Sequence, residues 1–246
     1  MAHAGLTKAR ERGNTFIVGR LLNTLGWFYH EMGDISRAIT FNQQSAEVGQ
    51  SSGISHVEIS ALINLGYDYL ALDQPARALS YFEPTLERIL REGFGAHKWR
   101  WKMKTLIGLA AHACVAGAYE QALHYIDAGL QEAQSTSSQK YIAKGRALRG
   151  QVLAHLGNPE AAGAELRQAY RVAEKLNSPS LSFPLAHDLG EWYEASGNDC
   201  KAAELYGTAK TTLERIAAAI EDDMLRSMFL DSPPAKAIYE SWKRMR

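Results

Sequence analysis

Cysteine is scarce in this chain: Cys114 and Cys200 are the only two among 246 residues. Two thiols build neither a disulfide framework nor a four-ligand structural zinc site, so a reducing, cytoplasmic setting is the expectation. Neither charge is in excess. Twenty-seven basic and twenty-seven acidic residues leave a formal net charge of zero and a pI of about 7.1. A charge-driven grip on nucleic acid or on an anionic membrane surface is therefore not expected. Long apolar runs are missing too. The longest, from Thr105 to Ala118, contains His112 and two glycines and is too short to span a bilayer, and the first residues hold no apolar signal core. Alternating apolar and polar runs rich in β-branched residues are absent, which leaves no strand to expect. The eight histidines show no metal-ligand spacing, no phosphate-binding glycine-lysine run occurs, and Gly93-Phe94-Gly95 lacks the third glycine of a dinucleotide site. No catalytic residue, cofactor or metal is expected. Forty-six per cent hydrophobic residues is nonetheless too many for a disordered chain.

What is present is a repeat. Ala38, Ala78, Ala122, Ala162 and Ala202 recur at intervals of 40, 44, 40 and 40 residues. Twelve residues before each stands another small residue: Gly26, Gly66, Ala110, Gly150 and Gly190. Between the two lies a turn position, occupied by Gly33, Asp73, Gly117, Gly157 and Gly197. Within a repeat the pattern reads helix, turn, helix. Leu22, Leu25, Gly26 and Tyr29 follow the i, i+3, i+4, i+7 stripe of an amphipathic helix, and Ala186, Leu189, Gly190 and Tyr193 repeat it. Gly33 and Gly197 suit the left-handed residue that ends a helix. Pro75 and Pro159 suit the first turn of the next one, where a missing N–H is harmless, with Asn158 as an N-cap. Small residues let two helices approach closely, and the expected pairing sets Gly26 against Ala38. Gly13, Gly53, Gly93, Ser137 and Asn177 mark the ends of the second helices.

The expected helices span about 14–32, 35–52, 55–72, 75–92, 97–116, 119–135, 139–156, 159–176, 180–196 and 199–219. Pro84 should kink the fourth, and Pro184 should delay or bend the ninth. The repeats then occupy about 14–53, 54–93, 97–137, 138–177 and 178–219. Residues 1–13 read as the tail helix of a preceding repeat, which implies a chain excised from a longer protein. Residues 220–246 read as a capping pair of helices, with Met224, Leu225, Met228 and Phe229 on one face and a break at Ser232-Pro233-Pro234. Glu221, Asp222 and Asp223 fit a helix N-terminus.

These residues resemble the tetratricopeptide repeat. Leu25-Gly26, Tyr29, Gly33-Asp34 and Ala38 carry the likeness, as do Leu65-Gly66, Tyr69, Ala78 and Phe82, and Leu189-Gly190, Tyr193, Gly197, Ala202, Tyr206 and Ala209. Ala113 and Arg149 depart from it, at a tyrosine and a leucine position. The spacing of 40–44 is longer than the usual repeat and is similar to arrays at the C-termini of large bacterial multidomain regulators. The resemblance implies an all-α, right-handed α-solenoid whose first helices line a partner-binding groove. By position, that groove holds Arg20, Asn23, Trp27, His30, Asn64, Tyr67, Lys104, Lys144, Gln151, His187 and Glu191. The chaperone-binding members of the family hold a terminal carboxylate with two lysines, two asparagines and an arginine. Only Asn64 and Lys104 match that set here; Asn23, Trp27 and Gly108 stand in the other places, which argues against a chaperone-tail receptor.

The functional expectation is a non-catalytic scaffold that binds a protein or peptide, as the interaction or sensor arm of a larger bacterial regulator. A self-association module forming a homodimer, and a receptor for a peptide or small molecule, are the alternatives. The run His97 to Lys104 interleaves bases with tryptophans. On a helix, however, Lys98 and Lys102 share one face while Trp99, Met103 and Leu106 share another, so a core stripe with solvated lysines is expected, with neither nucleic acid nor membrane as partner.

Overall fold

The computed structural model describes every residue except Met1, Phe94, Ala96 and His97. Among the described residues there are thirteen α-helices and no strand. They fall into two compact units, Met1–Ala116 and Gly117–Arg246. The first holds α1 (Ala2–Glu11), α2 (Thr15–Glu31), α3 (Ile35–Ser51), α4 (Ser55–Ala71), α5 (Pro75–Arg91) and α6 (Lys98–Val115). The second holds α7 (Tyr119–Ser135), α8 (Gln139–His155), α9 (Pro159–Lys175), α10 (Pro179–Ala195), α11 (Asp199–Ala218), α12 (Asp223–Asp231) and α13 (Pro233–Arg244). No helix among the described residues is long and apolar enough to cross a membrane.

One turn, used again and again, sets these bounds. At the end of α2 the backbone turns left-handed at Gly33 (φ 81°). The Gly33 amide donates to the His30 carbonyl at 3.0 Å and the Asp34 amide to the Tyr29 carbonyl at 2.9 Å, which satisfies two carbonyls the helix leaves over. Asp34 then caps α3 by accepting from the Arg37 amide at 2.9 Å. The same paired bonds recur after Gly13, Gly53, Asp73, Ser137, Gly157, Asn177 and Gly197, all with positive φ. Most of the helices are therefore 17 residues long, and with a three-residue link each step advances the chain by 20. The 40-residue repeat is two such steps.

Within the first unit, α2 pairs with α3 and α4 with α5, α3 packs on α4 and α5 on α6, and α2, α4 and α6 touch one another in turn. Within the second unit, α8 pairs with α9 and α10 with α11, while α13 packs on α11. The alanines at 38, 78, 122, 162 and 202 are all 0% exposed.

Four details differ from the sequence expectation. In four of the first helices the small residue faces one turn beyond the alanine: a side chain at Gly26 would collide with Asn42, at Gly66 with Phe82, at Gly150 with Leu166 and at Gly190 with Tyr206. Each pair lies eight residues either side of the N-cap residue at which the hairpin folds back on itself, so the mirror position of residue 26 is 42 and not 38. Second, Gly93 does not end α5 in a left-handed turn. That helix stops at Glu92 with extended backbone, and Gly95 carries the positive φ. Third, Pro184 does not delay the start of α10, which begins at Pro179, whose missing N–H is harmless at the first position. Fourth, Met224 is 56% exposed whereas Phe229 is buried, so the face expected on α12 is only partly covered. His97, expected as the first residue of a helix, lies outside the described residues. Trp101, Met103 and Leu106 of the tryptophan-rich run are buried, and Trp99 is half-buried.

Candidate functional site

In the first unit a ring of polar and aromatic contacts closes across α2, α3, α4 and α6. Trp27 on α2 stacks on His30 with ring centroids 5.3 Å apart and planes within 9°. His30 Nδ1 lies 2.7 Å from Asp68 Oδ1 on α4. The other Asp68 oxygen accepts from Asn42 Nδ2 on α3, also at 2.7 Å. Asn42 Oδ1 accepts from Asn64 Nδ2 at 3.3 Å, and Asn64 Oδ1 accepts from the Lys104 ammonium on α6. Lys104 Nζ sits 4.2 Å from the centroid of the Trp27 ring, which closes the circuit. Tyr67 adds a second aromatic face 5.6 Å from the same ammonium and donates its hydroxyl proton to the Lys104 carbonyl at 2.7 Å.

The sequence explains how this ring is built. Trp27 and Tyr67 are one repeat apart, as are Asn64 and Lys104, so the neighbouring helices α2 and α4, and α4 and α6, present them at matching heights. Gly26 leaves the space that the Asn42 amide fills. Asp68 and Asn42 are fully buried, and a buried carboxylate is tolerated only when its oxygens are bonded, as here by an imidazole and an amide. The lower layer of Asp68, Asn42 and Asn64 thus holds the upper layer of Trp27, His30, Tyr67 and Lys104, all half-buried, in position. A half-buried lysine whose ammonium lies against aromatic faces and an amide suits a ligand that brings an anionic group or peptide carbonyls.

Of the residues expected in the groove, the structure therefore joins Trp27, His30, Asn64, Tyr67 and Lys104. Asn23 lies one turn before Trp27, and its Nδ2 is buried without a hydrogen-bond partner. Arg20 is exposed and holds its guanidinium over the Phe16 ring at 5.9 Å. Asp68 and Asn42 are not among the expected residues. The signal that points to them is a lone acid within the apolar run of α4, and a glycine whose missing side chain needs an occupant.

A second set lies in the other unit. His187, Asp188 and Glu191 on α10 converge, and Gln151 on α8 donates a hydrogen bond to Asp188. Lys144 is half-buried two turns before Gln151 on the same helix. His187 does not stand open in a groove as expected: it is buried, with Nε2 3.1 Å from Ser241 Oγ on α13. Burial lowers its pKa, while the charge of Glu191 opposes the shift. Burial pushes the Asp188 carboxyl up to about 7, the charge of Glu191 adds to this, and the Gln151 bond opposes it. Glu194, on the same helix, is held down to about 2 by hydrogen bonds from Arg244 and Tyr206. The Arg244 fork makes two bonds of 2.8 Å to it.

A family model described as tetratricopeptide repeat matches residues 59–96. No curated protein matches the chain. Among solved structures the chain is similar to a Rap protein complexed with Competence and Sporulation Factor, at 16% identity and a TM-score of 0.73 over 98% of this chain and 68% of that one. It is also similar to a thermophilic tetratricopeptide-repeat protein of Thermus thermophilus, at 21% identity and a TM-score of 0.58, covering 90% of this chain and 99% of that one. A third likeness is to a signal transduction ATPase with numerous domains from Pyrococcus horikoshii, which carries a tetratricopeptide-repeat sensor. There the identity is 14% and the TM-score 0.60, over 98% of this chain and 38% of that one. At these identities the likeness is one of fold: the all-α helical-repeat class of α-solenoids.

Proposed function

We propose that this chain, a tetratricopeptide-repeat array by fold, is a non-catalytic scaffold that binds a protein or peptide segment and serves as the interaction or sensor arm of a larger bacterial regulator. The observation that carries the reading is the Trp27–Lys104–Tyr67 arrangement over its buried amide and carboxylate layer. Its side chains are half-buried and held by the hydrogen bonds beneath them, so a bound segment loses conformational entropy while the receptor loses little. A Rap protein has been crystallised with Competence and Sporulation Factor, and the Pyrococcus horikoshii ATPase uses its repeats as a sensor, which fits the same role for this chain. Trp27, Tyr67 and Lys104 make the principal contacts, with Asn23, His30 and Asn64 at their side. Lys144, Gln151 and Glu191 are secondary candidates in the second unit.

The test is a binding screen of the purified chain against a randomised peptide array, followed by affinity measurement on the best peptides. Trp27→Ala and Lys104→Ala each weaken binding by about tenfold or more, which corresponds to about 1.4 kcal/mol. The midpoint of thermal unfolding moves by only a few degrees, because both side chains are half-exposed. Unchanged affinity in both variants refutes the assignment of this surface.

A further inference from the structure

The cluster on α10 shares Glu191 with the secondary candidates of the second unit but lies outside the Trp27–Lys104–Tyr67 arrangement, and its chemistry is of another kind. His187, Asp188 and Glu191 each bring one donor atom, all within 4.8 Å of one another, from positions i, i+1 and i+4 of one helix. His187 Nδ1 and Glu191 Oε2 are already 3.9 Å apart. Asp188 and Glu191 stand close enough for the charge of Glu191 to act on Asp188, while the Arg244 guanidinium is taken by Glu194. The imidazole is held for use from behind. Ser241 on α13 engages Nε2 at 3.1 Å. That leaves Nδ1 turned toward Glu191, the arrangement in which an outer partner at one ring nitrogen orients the other as a ligand.

We infer that His187, Asp188 and Glu191 form a binding site for a divalent transition cation of the zinc type. Zinc takes imidazole nitrogen and carboxylate oxygen at about 2.0–2.2 Å, so tetrahedral donors stand about 3.3 Å apart. Closing the set from its present spacing asks for shifts of roughly 1–1.5 Å, and the exposed Glu191 side chain is free to make them. The nitrogen donor selects against magnesium and calcium, which prefer oxygen ligands alone. A bound cation neutralises the paired carboxylates. Through the His187–Ser241 contact it also ties α10 to α13, so binding stabilises the end of the second unit.

The experiment uses the full chain with Cys114 and Cys200 changed to serine, so that thiols do not compete. After treatment with chelator it is titrated with zinc chloride by calorimetry, and thermal unfolding is followed with and without zinc. One equivalent binds, and the midpoint of unfolding rises with zinc. Glu191→Gln, at an exposed position that leaves the fold intact, and Asp188→Asn each lower the affinity by about tenfold or more. Ser241→Ala lowers it by about 10- to 100-fold as an orienting partner. Trp27→Ala leaves zinc binding unchanged, which separates this site from the recognition surface. Absence of a saturable equivalent, or parental affinity in Glu191→Gln, overturns the inference.

Discussion

Glu194 shows how a single charge fixes the last helix. Its carboxylate receives both arms of Arg244 and the Tyr206 hydroxyl, the latter at 2.6 Å, and its pKa falls to about 2. A carboxyl held below its unfolded value of about 4.3 contributes stability above that value and loses it as pH falls toward the folded one. In Arg244→Met the main cause of the depression is gone. The gap in urea midpoint between parent and variant is therefore present at pH 7, narrows below about pH 4.5 and closes near pH 2. A gap that stays constant down to about pH 2.5 contradicts this account. Such pairs are beyond reading from the sequence, because Glu194 and Arg244 are 50 residues apart and meet only once α13 has folded back. Asp68 escapes for the same reason. Its partners His30 and Asn42 come from two other helices, whereas periodicity reports only the face of one helix. Trp27 and Tyr67, and likewise Asn64 and Lys104, can be placed because each pair is one repeat apart and so falls at matching heights on neighbouring first helices.

At the scale of the element, the helices depend on glycines that no side chain could replace. Gly49 on α3 lies against the backbone of α4: a Cβ there would strike the Glu58 amide nitrogen and lie 2.8 Å from its Cα. Backbone cannot swing aside as a side chain does. Gly49→Ala therefore destabilises by about 1–3 kcal/mol through overpacking. Gly207 in α11 has no neighbour within 4 Å of its would-be Cβ, so Gly207→Ala adds about 0.5–1 kcal/mol through helix propensity alone. Chemical denaturation of the two variants checks both signs, and equal effects would show that packing at α3–α4 does not govern the first. Helix bounds are legible to about one residue because each left-handed turn needs a glycine or an accommodating Asp, Ser or Asn, which stands out in the text. The phase across the hairpin is not legible. Which residue of the second helix meets a glycine of the first depends on where the chain folds back, and an error of one turn leaves the apolar stripe unchanged.

At the scale of the molecule, the 20-residue step makes repeats interchangeable, and this can be tested inside the second unit. Gly157 and Gly197 hold the same conformation (φ 74° and 75°), and Asn158 and Asn198 cap the following helices in the same way. Deleting residues 158–197 joins Gly157 to Asn198 and removes one full repeat. The turn is preserved, and Gly150 then takes the place of Gly190 opposite Tyr206, where a glycine is required. Stability in such arrays is nearly a sum over repeats and their interfaces, so the shortened chain keeps its helix content per residue and a single cooperative transition at a lower midpoint. Deleting 158–193 removes four residues fewer and sets the glycine one turn out of place, and that chain loses cooperative unfolding. Circular dichroism through a thermal ramp distinguishes the two. The 40-residue deletion also removes His187, Asp188 and Glu191, so it abolishes zinc binding while leaving recognition at Trp27 and Lys104 intact. Equal cooperativity in both deletions would mean that the repeat register does not specify the fold.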